Sequence, residues 1–382
     1  MRRPARAGGS LADSARASLL PFFATRAIVL AALGLSRFLS GQLGLTGPAG
    51  IKAIGTSRAG LTAWDASWYL RVAEAGYSGA GHTSLRFFPL LPLAARVLGY
   101  LPGLSDRAAL LLIVNLAGFA ALVALHRLVS LEAVGESVAE RSLWILSLWP
   151  AAFVLVMGYA EALLLLLSVL AFWCWRTGRW WWSLLPAFLA GLTRPVGVLL
   201  AVPALVEGLS WWRAGRRRLP ETVLRAAGVL AAPAGAAAYL AWAAAAFGSF
   251  TAPLSEQLSP KHRGGVADPL VTLARDASDF VRGRHFGTAL HAPFVVIFVA
   301  LALYLFFRLP AAYGWYAVAT LAVAVTAPNL DSLERYGLAC FPLAVSAALL
   351  CANRSVERTV LAGLAAVLTG LATLAFLGLY VP

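Results

Sequence analysis

The chain has 382 residues, of which 60% are hydrophobic and only 13% charged, with a formal net charge of +14 and a mean hydropathy of +0.77. A soluble domain is about a quarter charged, so composition excludes an ordinary soluble protein, and the missing polar linkers point to one membrane domain over residues 1–382. The positive charge sits mostly in short breaks between apolar runs, where the positive-inside bias accounts for it and nucleic-acid binding does not.

Arg2, Arg3, Arg6 and Arg16 precede the first apolar run. That run is long, contains Arg26 and Arg37, and lacks a clear A-x-A site, so it reads as an uncleaved first span rather than a signal peptide. Nothing in the sequence supplies partners for Arg26 and Arg37. Further apolar stretches follow at 107–130, 141–157, 160–176, 180–193, 195–212, 223–247, 291–308, 311–327, 335–352 and 359–380; with 18–40 they make eleven. A span needs ~20 apolar residues, so the expected fold is all-α and polytopic, with about eleven transmembrane helices (ten to thirteen). A twelfth segment, 87–101, is short and holds Pro89, Pro92 and Arg96.

Orientation decides that segment. With the N-terminus cytoplasmic and 87–101 not spanning, the cytoplasmic breaks carry Arg127, Arg141, Arg176, Arg179, Arg213, Arg216, Arg217, Arg218, Arg225, Arg308, Arg354 and Arg358, and the short outer breaks only Arg194 and Arg335. A spanning 87–101 inverts that bias, and arginine in short loops sets orientation. Eleven spans and an outside C-terminus follow. Two longer outer segments remain, 41–106 and 248–290, the first expected to hold interfacial helices. Residues 64–75 place Trp68, Val72 and Ala75 at helical spacing, the pattern of a short helix lying on the membrane surface. Cys174, Cys340 and Cys351 lie in apolar runs without metal or disulfide spacing and read as packing residues.

Five polar features stand out. Asp65, within Trp64-Asp65-Ala66-Ser67-Trp68-Tyr69 and ahead of Tyr77 and Phe87-Phe88-Pro89, is a carboxylate among aromatics at the outer face; the spacing also fits a helix N-cap. Tyr159 and Glu161 lie at the outer edge of a span, where a carboxylate either faces a wet or paired site or snorkels to the headgroups. Arg194 at an outer turn runs against the charge trend and asks for a phosphate or a carboxylate such as Glu161. In Asp331-Ser332-Leu333-Glu334-Arg335-Tyr336 the acids suit the first turn of a helix, and Arg335 gains nothing there. The loop 248–290 holds Lys261, His262, Arg263, Arg275, Arg282, Arg284 and His285, suited to a phosphate-bearing lipid or to plain solvation. The orientation used none of the carboxylates, yet all five features fall on one side of the membrane.

At these residues the sequence resembles the PIG-V family of mannosyltransferases, within the GT-C class of polytopic glycosyltransferases. The matching pieces are WDASWYLRVAEAGY (64–77) with FFPLLP (87–92), WPAAFVLVMGYAEALL (149–164), TRPVG (193–197) and ERYGLACFPL (334–343); the first is the most specific. The resemblance implies about a dozen helices, an active site on the non-cytoplasmic face and a polyprenyl-phosphate-linked donor, typically polyprenyl-phosphate-mannose. It places the catalytic carboxylate, a general base for inverting transfer, on Asp65. Substrate and donor contacts are then expected from Trp64, Trp68, Tyr69, Tyr77, Phe88, Tyr159, Glu161, Arg194, Lys261, His262, Arg263, Glu334, Arg335 and Tyr336. No cofactor and no metal are implied.

The sequence also departs from the family pattern. Eukaryotic members often carry an acid between the GY and FFP elements, and residues 78–86 have none. Two lysines against 29 arginines and abundant alanine fit GC-rich coding, hence a bacterial plasma membrane. An acceptor other than a GPI anchor is then required: a glycolipid, a lipoglycan or another cell-envelope glycan, met among membrane lipids. The alternative function is a glycolipid transporter or flippase, which predicts charges near the midplane and repeat symmetry.

Overall fold

The computed structural model describes residues 10–42, 47–132, 134–215, 218–259 and 262–381; Arg2, Arg3, Arg6, Arg216, Arg217 and Lys261 lie outside them. Among the described residues every regular element is helical, as lipid solvent demands of a chain that must satisfy its backbone groups within each segment. In chain order, α1 (Leu11–Gln42), α2 (Gly47–Ala59), α3 (Asp65–Ala80) and α4 (Leu90–Gly99) precede α5 (Asp106–Leu131) and α6 (Glu136–Ser147). Next come α7 (Glu161–Arg176), α8 (Trp180–Gly191), α9 (Ala201–Arg213) and α10 (Leu219–Phe247). The second long connection holds α11 (Ala252–Leu258), α12 (Pro269–Val281) and α13 (Phe286–Ala289). The chain closes with α14 (Ala292–Arg308), α15 (Ala311–Val325), α16 (Leu333–Ala339), α17 (Phe341–Leu350) and α18 (Arg354–Phe376).

Every apolar stretch of the sequence falls on one of these helices or on a broken pair. Among the described residues, α1, α5, the unit Pro195–Arg213, α10 and α18 are each long and apolar enough to cross a membrane, and α16 with α17, bent by 84°, is so only if taken together. The protein is thus a polytopic integral membrane protein. The α4 helix has 10 residues, ~15 Å at 1.5 Å per residue, about half the ~30 Å hydrocarbon core.

Three breaks in helical structure come together at one end of the bundle. A short 3-10 turn, Ala152–Leu155, precedes α7; another, Pro195–Leu200, follows Arg194; and α16 starts after Ser332 in a left-handed conformation. Irregular backbone at membrane depth is tolerated where it is buried in protein or lines a cavity: the turn Ala152–Leu155 is buried, and the breaks at Pro195 and Ser332 line one cavity.

Close contacts fix the helices around it. A methyl group built on Gly191 of α8 would lie 2.0 Å from the Ala232 carbonyl oxygen of α10, and one on Gly235 2.0 Å from that of Phe188. Small residues are what let membrane helices approach this closely. At the opposite end Arg176 bridges Glu132 at 2.7 Å and Glu207 at 3.0 Å, and Tyr313 donates to Glu132 at 2.6 Å, tying α7, α9 and α15 to the end of α5. Arg141 binds the Ala348 carbonyl at 3.0 Å and faces Glu357 at 3.5 Å. These arginines, read from sequence as topology signals, are also latches.

Arg26, half-buried, and Arg37, exposed, both find partners within the protein. Arg26 donates to Asn115 and to the Leu155 carbonyl, each at 3.0 Å, and stacks over Phe22 at 3.6 Å. Arg37 donates to the Ser57 carbonyl at 3.1 Å. Cys174, Cys340 and Cys351 are free and buried.

The first long segment is packed rather than laid loosely on a surface. The buried face of α3 is Ala66, Tyr69, Val72, Ala73 and Tyr77, not the expected stripe; Trp68 is half-buried and Ala75 exposed. Packing against α4 and α5 turns the helix by about one residue, because its apolar partner is protein and not lipid alone.

Candidate active site

The cavity has a volume of about 490 Å³, within the ~300–1,000 Å³ of ordinary ligand sites. Its floor is a chain of alternating charge. Asp65 Oδ2 accepts from Arg335 Nη1 at 2.7 Å, and Asp65 Oδ1 lies 3.5 Å from Arg86 Nη2. Arg335 Nε faces Glu161 Oε1 at 3.0 Å, and Glu161 in turn contacts Arg194. Glu161 is 1% exposed, so it does not snorkel to the headgroups; it is the carboxylate that Arg194 asks for.

Local backbone geometry aims these groups. Trp64 has φ 58° and ψ −133° and occupies the position before α3, and its indole donates to the Ala375 carbonyl of α18 at 2.9 Å. Asp65 is therefore the first residue of the helix and not its cap; its carboxylate goes to the arginines, while its backbone N–H donates to Tyr159 Oη at 3.2 Å. Ser332, with φ 69°, occupies the matching position ahead of the helix that carries Arg335. Non-glycine residues in such conformations cost about 1–3 kcal/mol and persist where the surroundings over-determine them. Here both strained residues immediately precede the two helices that supply the central ion pair.

Burial alone pushes the Asp65 carboxyl up, but the Arg335 and Arg86 guanidiniums, helped by Arg194, more than offset it and hold it below the ordinary carboxylate range. Burial raises the Tyr69 phenol to about 12, with Arg194 opposing, so Tyr69 stays protonated.

Of the expected contact residues, Trp64, Asp65, Tyr69, Arg194, His262, Arg263, Arg335 and Tyr336 line the cavity. Arg263 donates to Tyr336 Oη at 2.6 Å and also to the Val323 carbonyl. Six others stand behind the wall. Trp68 stacks on the far side of Phe87, ring centroids 5.9 Å apart. Tyr77 donates to the Phe87 carbonyl at 2.6 Å, and Phe88 packs 4.7 Å from the Tyr239 ring. Together they fix the 85–88 backbone so that Arg86 and Phe87 face inward. Tyr159 and Glu161 are one layer below Asp65 and Arg335. Glu334, in the first turn of α16, is wholly buried, held by His291 at 2.6 Å and by Tyr380 at 2.7 Å, and does not line the cavity. Lys261 lies outside the described residues.

Arg86, Gln257 and Asn329, which the sequence does not single out, also line the cavity, as does Asp331, whose sequence reading is a first-turn acid. Arg86 had a visible signal: it is a lone cation abutting the FFP element in a segment without acids. Asp331 resembled an ordinary first-turn acid, and only the short helix beginning at Leu333 releases it into the cavity. The wall carries four arginines (Arg86, Arg194, Arg263 and Arg335) against two aspartates, an excess of positive charge that suits an anion.

The family described as Mannosyltransferase (PIG-V) matches residues 14–206. No protein of curated function matches the chain. The matched half contributes Asp65, Arg86, Glu161 and Arg194, and the remainder closes the cavity with Arg263, Asp331 and Arg335. The chain belongs to the PIG-V mannosyltransferase family and is a membrane-embedded mannosyltransferase.

Proposed function

We propose that the enzyme moves mannose from a polyprenyl-phosphate donor to a lipid-linked or cell-envelope glycan acceptor, on the non-cytoplasmic face, with inversion at the anomeric carbon. The observation that carries this reading is the Asp65–Arg335–Glu161–Arg194 chain at the floor of a cavity with arginines to spare. A transferase of this kind needs one carboxylate at the acceptor hydroxyl and fixed cations where the leaving phosphate gathers charge. Arg86, Arg194 and Arg263, with His262, are placed for the phosphate.

The acceptor oxygen attacks C1 of a β-linked donor, the C1–O bond breaks with its electron pair going to the phosphate, and the product is α-linked. The acceptor proton passes to Asp65. Its two arginine partners make Asp65 a weak base at rest. An arriving phosphate competes for those guanidiniums and raises the basicity of Asp65 at the moment it is needed. The aromatic wall of Trp64, Tyr69 and Phe87 suits a sugar face and excludes water.

The test is an in vitro assay of purified protein with polyprenyl-phosphate-mannose and a panel of glycolipid and glycan acceptors. Formation of an α-mannosyl product with release of polyprenyl phosphate is expected. A folded protein that transfers to no acceptor contradicts the reading.

A further inference from the structure

Two carboxylates line the cavity, Asp65 and Asp331, in opposite surroundings. Asp65 has a guanidinium on each oxygen. Asp331 faces an imidazole and other acids: His291 Nε2 lies 3.7 Å from its Oδ1, and Asp276 and Glu334 act on its charge. Asp276, itself paired with Arg275 at 2.9 Å, is 2% exposed.

His291 is wholly buried, and its Nδ1 sits 2.6 Å from Glu334 Oε2, which also accepts from Tyr380. A carboxylate at Nδ1 fixes the imidazole tautomer and aims Nε2 outward. That Nε2 makes no hydrogen bond among the described residues and faces Asp331; Glu334 Oε1 and Asp276 Oδ2 are also buried without one. The Glu334–His291 pair thus stands directly behind Asp331, in line to pass it a proton.

We propose that Asp331 is the general acid of the transferase, with His291 and Glu334 behind it as positioning residues that hold and restore its proton. This rests on the polyprenyl-phosphate reading above. As the C1–O bond breaks, its electron pair stays on the phosphate oxygen, and that oxygen takes the Asp331 proton. The acceptor oxygen bonds to C1 and loses its proton to Asp65, so one proton passes overall from acceptor to lipid phosphate. Asp65 releases its proton to solvent, and Asp331 regains one through His291. A phosphate monoester has a second pKa near ~6. Burial, reinforced by Asp276 and Glu334 and opposed by His291, lifts the Asp331 carboxyl above its ordinary value, which favours the protonated form that a general acid needs. Opposite shifts on two carboxylates of one site are the usual mark of divided acid and base roles.

The test is the pH dependence of kcat for the purified full chain with polyprenyl-phosphate-mannose. The wild type shows an alkaline limb from ionisation of Asp331. Asp331→Asn lowers kcat roughly 10²–10⁴-fold, leaves the donor KM little changed and removes the limb. His291→Gln takes away the partner that lowers Asp331, so the limb moves to higher pH; this variant carries the test if Asp331→Asn fails to fold. An Asp331→Asn enzyme that keeps its rate, or loses rate with the limb in place, overturns the assignment, as does an unmoved limb in His291→Gln. The donor reading fails separately, by absence of transfer in the wild type at every pH.

Discussion

Arg335 is held between Asp65 and Glu161 with its side chain 10% exposed. Removing one member of a buried ion network leaves uncompensated charge, a loss of about 3–5 kcal/mol. Arg335→Ala is therefore expected to lower the unfolding temperature in detergent by several degrees and to abolish transfer. Arg335→Lys retains charge but lacks the planar fork that reaches both carboxylates, so it recovers part of the stability and little of the activity. Asp65 itself titrates below its ordinary value of 3.8. A depressed carboxylate contributes stability that is complete above that ordinary value and is lost as pH falls through the folded value. Above about pH 5 the wild type should thus unfold at a higher temperature than Asp65→Asn by an amount that Asp65 does not make vary with pH, and the two should converge only in stronger acid. At this scale the sequence revealed Asp65, Arg194 and Arg335, because each is a charge that a membrane edge does not explain. It hid Asp331 and its partner His291: one passes for a helix-starting acid and the other for a loop histidine, and nothing linear links them across 40 residues.

Helix packing sets where those side chains stand. The α8–α10 contact runs through Gly191 and Gly235, each already against a facing carbonyl. Gly191→Ala pushes the two helices apart, an overpacking cost of about 1–3 kcal/mol, and shifts Arg194, three residues on, away from Glu161. Transfer should fall together with thermal stability, whereas Gly34→Ala, with open space around it, should leave both unchanged. Hydropathy located the apolar helices but not their breaks. The stretch 148–160 stays apolar while the backbone leaves the helix, so hydropathy carries no trace of the 3-10 turn Ala152–Leu155, and Pro150 is its one sequence signal. In the 248–290 segment the signals were present: Asp268 caps α12 through the Leu270 N–H at 2.8 Å, and Pro269 opens the helix.

For the whole molecule, the proposed orientation places the cavity end outside and the Arg176 and Arg213 end in the cytoplasm. The native cysteines are all buried, so they give little labelling background. Single cysteines at two exposed positions, Ser78 at the cavity end and Ala214 after α9, distinguish the sides. A membrane-impermeant maleimide added to intact cells should label Ser78→Cys and spare Ala214→Cys until the membrane is opened; the reverse pattern overturns the orientation.

The central claim is that a lipid-phosphate mannose is transferred at Asp65. The most direct measurement is single-turnover transfer from β-linked polyprenyl-phosphate-mannose by purified wild type and Asp65→Asn, with the anomeric configuration of the product determined. The expected result is an α-linked product from the wild type and none from Asp65→Asn at any pH, the variant remaining folded and monodisperse. Near-normal transfer by Asp65→Asn, or a β-linked product from the wild type, contradicts it.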